Sequence, residues 1–200
     1  MIDSKEKLRA AYPPARERSL KKEIRHLDRH CLRFLELSPF VVISSGSAEQ
    51  RYDASPRGGE PGFVRAPDAH TLLIPDAPGN NRLDTLENII ATGRVGLLFL
   101  IPGVDETLRI NGRARLEDDP SLIGFFKNDK RIPKVVIEVK VEDVYLHCAK
   151  ALMRSKLWDA GSKVERSVLP SMGEMIHEQI GLPTPGETQE QMIERYKQDL

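Results

Sequence analysis

What most constrains this chain is a series of strand-length apolar runs set close together and separated by glycine and proline turns. Val95 to Ile101 is almost continuously apolar and stops at Pro102-Gly103. In the following stretch, Thr107 to Leu116, Leu108, Ile110, Gly112 and Ala114 alternate with Arg109, Asn111, Arg113 and Arg115. The continuous run reads as a strand buried on both faces, the alternating one as a strand with one apolar and one polar face. The two pair as a hairpin, leaving the polar face to meet water or a ligand.

The same signals recur along the chain. Phe40 to Ser44 is rich in β-branched residues between Pro39 and Gly46, and a second strand includes Arg51 to Ser55. After the loop Pro56-Arg57-Gly58-Gly59-Glu60-Pro61-Gly62, Phe63 to Arg65 resumes, and Thr71 to Ile74 ends at Pro75. Val135 to Val141 alternates and continues through Val144-Tyr145-Leu146-His147-Cys148. At least six strands without long intervening helices predict an antiparallel β-barrel rather than a doubly wound sheet.

Helical spacing is confined to a few segments. Leu20, Ile24, Leu27, Cys31, Phe34 and Leu35 predict one amphipathic helix capped by Ser19 and ended by Ser38-Pro39. A short helix is expected with Asp84 as its cap, Glu87 three residues on, Leu86, Ile89 and Ile90 on its apolar side and Gly93 as its stop. Leu122 to Phe126 reads as a short helical crossing. Met172 to Leu200 reads as one or two helices separated by Gly181-Leu182-Pro183-Thr184-Pro185-Gly186. Residues 1–18, with Pro13, Pro14 and few apolar positions, form an arm.

Composition removes several function classes. Two hundred residues can bury one substantial core, and 30 Lys+Arg against 30 Asp+Glu give no reason to expect a nucleic-acid binder or a polybasic membrane anchor. The longest apolar run falls far short of the ~20 residues needed to cross a bilayer. The beginning, MIDSKEKLRA, lacks the apolar core of a secretory signal, so residence in the cytoplasm is expected. Two cysteines, Cys31 and Cys148, fit a reducing compartment and exclude a disulfide framework or a four-cysteine metal site.

Nucleophile and nucleotide motifs are missing. Gly46-Ser47-Ala48 lacks the second glycine of a nucleophile elbow, and neither a P-loop nor a G-x-G-x-x-G fingerprint occurs. His26 and His30 stand at i and i+4, but Arg25, Arg29 and Arg33 beside them oppose a cation, and no metal is expected. Ser55-Pro56-Arg57-Gly58-Gly59 and Asn80-Asn81-Arg82 combine hydroxyl, amide and guanidinium groups with glycines, a composition that suits phosphate. Taken singly, each reads more readily as a turn carrying a surface charge. Glu106 to Ala114 presents hydrogen-bonding side chains before and after Gly112. His147 to Trp158 gathers a histidine, a thiol, three cations and the single tryptophan, either a ligand site or a strand ending in a basic helical turn.

In order, Asp53-Ala54-Ser55-Pro56-Arg57-Gly58, Leu73-Ile74-Pro75-Asp76 with Gly79-Asn80-Asn81-Arg82, Gly96-Leu97-Leu98-Phe99, Glu106-Thr107-Leu108-Arg109 with Asn111-Gly112-Arg113-Ala114, and the His147 to Trp158 run resemble the pyridoxamine phosphate oxidase-like family of flavin-nucleotide-binding split β-barrels over roughly residues 30–160. The resemblance implies a homodimer of six-stranded antiparallel barrels with flanking helices and FMN at the subunit interface. It places the flavin phosphate at Ser55, Arg57, Gly58, Asn81 and Arg82, the isoalloxazine edge at Thr107, Leu108 and Arg109, and the substrate side at Lys150, Arg154, Ser155 and Trp158. It implies a domain organisation of arm 1–18, FMN-binding barrel 19–160 and helical extension 161–200. The chain ends Glu194-Arg195-Tyr196-Lys197-Gln198-Asp199-Leu200, without the Trp, Arg, Leu and His segment by which the vitamin B6 oxidases recognise their substrate. The Pro56-Arg57-Gly58 segment also replaces an apolar run of those enzymes. The expectation is an FMN-dependent oxidoreductase on another small molecule, with His147 assisting proton transfer. The alternative is a non-catalytic carrier of flavin, deazaflavin or haem.

Overall fold

Side-chain alternation along the strands gives the sheet one buried face and a second that is open along the first, second and fifth strands but covered along the fourth and the start of the seventh, as a computed structural model describing residues 1–183 and 186–198 shows. Helices α1 (Lys5–Ala11), α2 (Glu17–Lys21) and α3 (Arg29–Leu37) precede strands β1 (Phe40–Gly46), β2 (Tyr52–Gly58), β3 (Arg65–Asp68) and β4 (Thr71–Pro75). Helix α4 (Asp84–Thr92) leads into β5 (Arg94–Leu100) and β6 (Thr107–Glu117), then α5 (Pro120–Ile123), β7 (Val136–His147), α6 (Lys150–Ser155), α7 (Met172–Ile180) and α8 (Gln189–Tyr196). The chain divides into two compact units, Met1–Ser155 and Lys156–Leu200.

All seven strands of the first unit form one antiparallel sheet in the order β2-β1-β5-β6-β7-β4-β3, a split barrel with β2 and β3 as its edges. Six strands were expected; the seventh, β3, is a short irregular edge strand containing Pro67, where a missing N–H costs no ladder bond. Opposed residues share a face, so Arg57, Val41, Phe99 and Leu108 form one inward row across four strands. Val41, Phe99 and Leu108 are wholly buried, and Cys31, Phe34 and Leu35 of α3 with Leu86 and Ile89 of α4 close the same core. Val95, Leu97 and Phe99 of β5 are buried, while Gly96, Leu98 and Leu100 are only half-buried. The expected burial of β5 on both faces is therefore found on one.

Three local readings change. The predicted long N-terminal helix is broken between α2 and α3, because Ile24 leaves helical geometry to exchange backbone bonds with Val144 (2.9 and 2.7 Å) and Leu27 donates to the Ala69 carbonyl (2.7 Å). These long-range bonds outweigh helical propensity. Asp28, accepting from the His30 and Cys31 N–H groups at 2.9 and 2.8 Å, is the cap of α3, and Leu20 is exposed. Helix α4 begins after Leu83 rather than after Asp84, with no side-chain cap, and Ile90 faces outward. Gly93 ends it in the left-handed region as expected (φ 63°). Strand β2 runs on to Gly58, so Ser55, Pro56 and Arg57 are strand residues; the proline is tolerated because β2 is an edge.

In the second unit, capping boxes start α7 (Ser171 with Glu174) and α8 (Thr188 with Gln191), and the Ser171 hydroxyl donates to the Glu187 carbonyl at 2.8 Å. Of the expected separator and chain end, Thr184, Pro185, Asp199 and Leu200 lie outside the described residues. Among the described residues no helix is long and apolar enough to cross a membrane.

Strand β6 pairs with both neighbours and shifts register at Asn111/Gly112, where Asn111 opposes Asp143 and Gly112 opposes Val141, leaving Glu142 as the extra residue of a bulge. A methyl group at Gly112 would sit 2.2 Å from the Lys140 carbonyl oxygen. Gly112→Ala is expected to destabilise the protein by roughly 1–3 kcal/mol, read as a lower urea midpoint; an unchanged midpoint would show that the two strands separate freely there.

Candidate functional site

Two polar clusters occupy opposite faces of the sheet. The first lies on the inward side of edge strand β2, where alternation puts Asp53, Ser55 and Arg57 on one face. The Arg57 guanidinium donates to the Ser55 hydroxyl (2.6 Å) and to the Pro56 carbonyl (2.9 Å). Two residues along the same face, Asp53 accepts from the Thr85 hydroxyl at 2.8 Å, which ties the first turn of α4 to this strand. Leu83 precedes that turn in a left-handed conformation (φ 61°) and offers it no side-chain acceptor, so the positive helix end stays uncapped by its own chain.

The loop before α4 carries the remaining predicted phosphate ligands. Asn81 takes the left-handed region (φ 58°), which asparagine tolerates, and Asn80 accepts from the Arg82 N–H at 3.1 Å. The Arg82 side chain is exposed and pairs with Asp84 at 2.8 Å. Asp76, half-buried just after β4, has its carboxyl pushed up by burial while the charge of Arg57 pulls it down. Gly58 closes β2 opposite Phe40, where a side chain would meet the Pro39 carbonyl at 3.4 Å.

The second cluster stands on the outward face of β6 and β7. Thr107 opposes His147 and Arg109 opposes Tyr145, while Leu108 between them is wholly buried, its side chain committed to the core. The Arg109 guanidinium lies 5.1 Å and the Lys22 ammonium 5.2 Å from the Tyr145 ring centroid. Lys22 also donates to the Leu146 carbonyl at 2.8 Å, and the Tyr145 and His147 rings are 6.3 Å apart. His147 Nδ1 is buried without a hydrogen-bond partner. Burial, then the charges of Arg109 and Lys22, hold the imidazole below its ordinary pKa.

Of the predicted site residues, the structure thus unites Ser55 and Arg57 next to Gly58, and separately Thr107, Arg109 and His147. Lys150, Arg154 and Ser155 lie exposed on α6, with the Ser155 hydroxyl donating to the Leu152 carbonyl; no hydrogen bond or ion pair joins them to either cluster among the described residues. Trp158 belongs to the second unit. Lys22, Asp53, Asp76, Thr85 and Tyr145 were missed. Tyr145 alternates with His147 on one strand and was legible as its neighbour; Lys22 carries no local signal, since its contacts are made across the fold.

Other polar groups serve the fold. Glu138 is buried between β4 and β6, and although burial pushes its carboxyl up, hydrogen bonds from Lys140 and Arg115 outweigh that and leave it below the ordinary range. Burial pushes the Cys31 thiol up to about 11, which makes it a core residue and not a nucleophile. His26 precedes α3 and therefore does not share a helix face with His30. Among the described residues no group of three or more His, Cys, Asp or Glu is arranged to hold a metal ion.

The first unit is thus a split antiparallel barrel whose edge strand carries a hydroxyl–guanidinium pair on the face to which the start of α4 is tied. This chain belongs to the pyridoxamine 5'-phosphate oxidase family, whose profile matches residues 27–148. It is similar to two structures of HupZ from Group A Streptococcus. One, a histidine-to-alanine variant, has 14% identity over 60% of this chain and 99% of that one (TM-score 0.51). The other has 15% identity over 60% and 92% (TM-score 0.50). These likenesses establish a shared fold. No curated protein sequence matches the chain.

His147 gives a pH prediction. Its folded-state pKa lies below the ordinary 6.5, so its contribution to stability is whole above that pH and is lost as pH falls through the lowered value. Chemical denaturation is expected to show the wild type losing stability relative to His147→Gln below pH 6.5. Parallel curves over that range would mean that the ring titrates alike folded and unfolded.

Proposed function

We propose that the protein is an FMN-binding oxidoreductase that acts as a homodimer on a small molecule other than a vitamin B6 phosphate. The observation that carries this reading is the Ser55–Arg57 pair on the same strand face to which the Thr85–Asp53 bond ties the uncapped start of α4, in a chain of the pyridoxamine 5'-phosphate oxidase family. A flavin phosphate is a dianion, and its burial requires guanidinium groups and N–H donors. Arg57, Ser55 and the first N–H groups of α4 supply them, Asn81 and Arg82 add an amide and a second cation from the adjoining loop, and Gly58 follows Arg57 at the end of β2.

The isoalloxazine edge is assigned to Thr107, Arg109 and the backbone of Leu108, with Lys150, Arg154 and Ser155 toward the substrate. Because Ser55 and Arg57 face inward and Thr107 and Arg109 outward, one protomer offers these groups on different faces. A second copy reconciles them by bringing its outward face to the first protomer's β2 edge. Val42, Leu98 and Leu100 are half-buried and Phe40 exposed on that outward face, an apolar surface of the kind a partner covers.

The bound flavin would supply hydride acceptance and donation. The chain's own contribution is electrostatic: Arg57 and Arg82 neutralise the phosphate, and Arg109 favours negative charge accumulating beside it. Burial and the charges of Arg109 and Lys22 favour the neutral form of His147, the form that can accept a proton. We assign this binding domain to residues 19–160, with 1–18 as an arm and 161–200 as a helical extension. Balanced charge argues against a nucleic-acid or membrane partner, and two free thiols, Cys31 and Cys148, fit the cytoplasm.

The test is the absorption spectrum of the purified protein and identification of the chromophore released on denaturation. A yellow protein that releases FMN is expected, with affinity reduced about tenfold or more by Arg57→Ala, and further by Arg57→Ala with Arg82→Ala. Reduction of the bound flavin by a nicotinamide cofactor without oxygen would support an enzyme; tight binding with no reduction by common donors would make it a carrier. A colourless protein that cannot be reconstituted with FMN would sink the flavin reading and turn attention to deazaflavin or haem.

A further inference from the structure

Between α2 and α3 the chain meets the turn joining β3 to β4, and there two histidines face each other. The Leu27 N–H donates to the Ala69 carbonyl at 2.7 Å, and the His70 ring donates through Nδ1 to the Arg25 carbonyl at 3.2 Å. The two bonds flank His26 on one segment and start from Ala69 and His70 on the other. They hold the His26 and His70 rings at a centroid separation of 6.3 Å, tilted by 56°, and both residues are exposed.

A carbonyl can only accept, so the bond to Arg25 puts the proton of the neutral His70 ring on Nδ1 and leaves the Nε2 lone pair available. Metal-ligating imidazoles are held in this way, the second nitrogen donating to a backbone carbonyl that fixes tautomer and ring orientation. Among the described residues the His26 ring makes no hydrogen bond, and its ring contact is with His70. Asp68 supplies negative charge beside the pair: it accepts from the His70 N–H at 2.6 Å, a bond that holds its carboxyl below the ordinary range. Arg29 is turned to His30, donating to its Nε2 at 3.3 Å. Arg25 is exposed, where the dielectric of water weakens its repulsion of a cation.

We propose that His26 and His70 bind a divalent transition-metal ion of the zinc or nickel class, with water in its remaining positions, and that the ion clips the N-terminal segment to the barrel. Imidazole nitrogen suits such ions. Metal–nitrogen bonds of ~2.0–2.1 Å at a tetrahedral angle put two ring centres about 5 Å apart, so closing the pair takes about 1 Å. Exposed side chains make that adjustment by rotation while the backbone bonds keep the two segments in place. Helices α1 and α2 bury no residue, and the segment carrying them is fastened by the bonds of Lys22, Ile24, Arg25 and Leu27. An ion bound only by the fastened state stabilises that state by mass action. The pair shares no residue with either polar cluster and does not rest on the flavin reading.

The experiment is calorimetric titration of the full-length protein, carrying no histidine tag, with Zn2+ and with Ni2+, alongside NMR of the histidine rings and amide hydrogen exchange with Zn2+. One ion per chain is expected, shifting the His26 and His70 ring signals and slowing exchange at the Ile24 and Leu27 amides. Affinity should fall about tenfold or more in His26→Gln and in His70→Gln, each of which removes one of two metal bonds, and stay at the wild-type value in His30→Gln. His26→Gln takes no hydrogen bond from the fold, so it decides the matter should His70→Gln disturb the turn. No saturable binding, or binding unchanged in His26→Gln, would overturn the site. Zinc captured instead by the exposed Cys148 thiol would leave both rings unshifted and overturn it equally. Ring shifts without slower exchange at Ile24 and Leu27 would overturn the clip.

Discussion

Strand β6 is the constraint from which the rest of the first unit hangs. It pairs with β5 on one side and with β7 along its whole length on the other, and its inward residues Leu108 and Ile110 are wholly buried. Because both its edges are used, its register is fixed by two ladders at once, and a slip by one residue would turn the core face outward. That fixed register aligns Thr107 with His147 and Arg109 with Tyr145. The close approach at Gly112 and the bulge at Glu142 adjust the pairing between this outward cluster and the lower half of β7.

The edge strand works differently. β2 has one partner only, so it admits Pro56 and leaves its inward end to be covered by α4 rather than by another strand. The Thr85–Asp53 bond and the buried Asn88–Ser45 bond (3.0 Å) hold α4 there, and the helix start is brought to the same strand face as Ser55 and Arg57. A centre paired on both edges and an edge strand paired on one therefore place two clusters of unlike character on opposite faces.

Local chemistry decided what was readable in the sequence. The β5–β6 hairpin and the stop at Gly93 depend on near neighbours and were legible, whereas the alternation expected along β7 gives way to burial on both faces over Val136, Ile137, Glu138 and Val139. The break between α2 and α3 was not, since it is made by Val144 and Ala69, far from Ile24 and Leu27 in the chain. Ser55 and Arg57 were legible as a hydroxyl and guanidinium pair because they lie two residues apart, although in a strand and not the expected loop. The Lys22–Tyr145 contact was illegible: the Leu146 carbonyl that positions Lys22 is 124 residues away.

Charge placement then separates the groups that serve the fold from those open to a ligand. Where burial is deep the chain supplies its own counter-charge, as at Glu138, because a lone carboxylate there would cost several kcal/mol. At Arg57 the compensation is partial: a neutral hydroxyl and carbonyl accept its hydrogen bonds, and Asp76 faces it as a half-buried carboxyl already pushed toward protonation. At Arg109 there is an aromatic quadrupole, and at Lys22 the same ring together with the Leu146 carbonyl. With zero net charge over the whole chain, any attraction for the proposed flavin phosphate has to come from such local imbalance and not from the overall field.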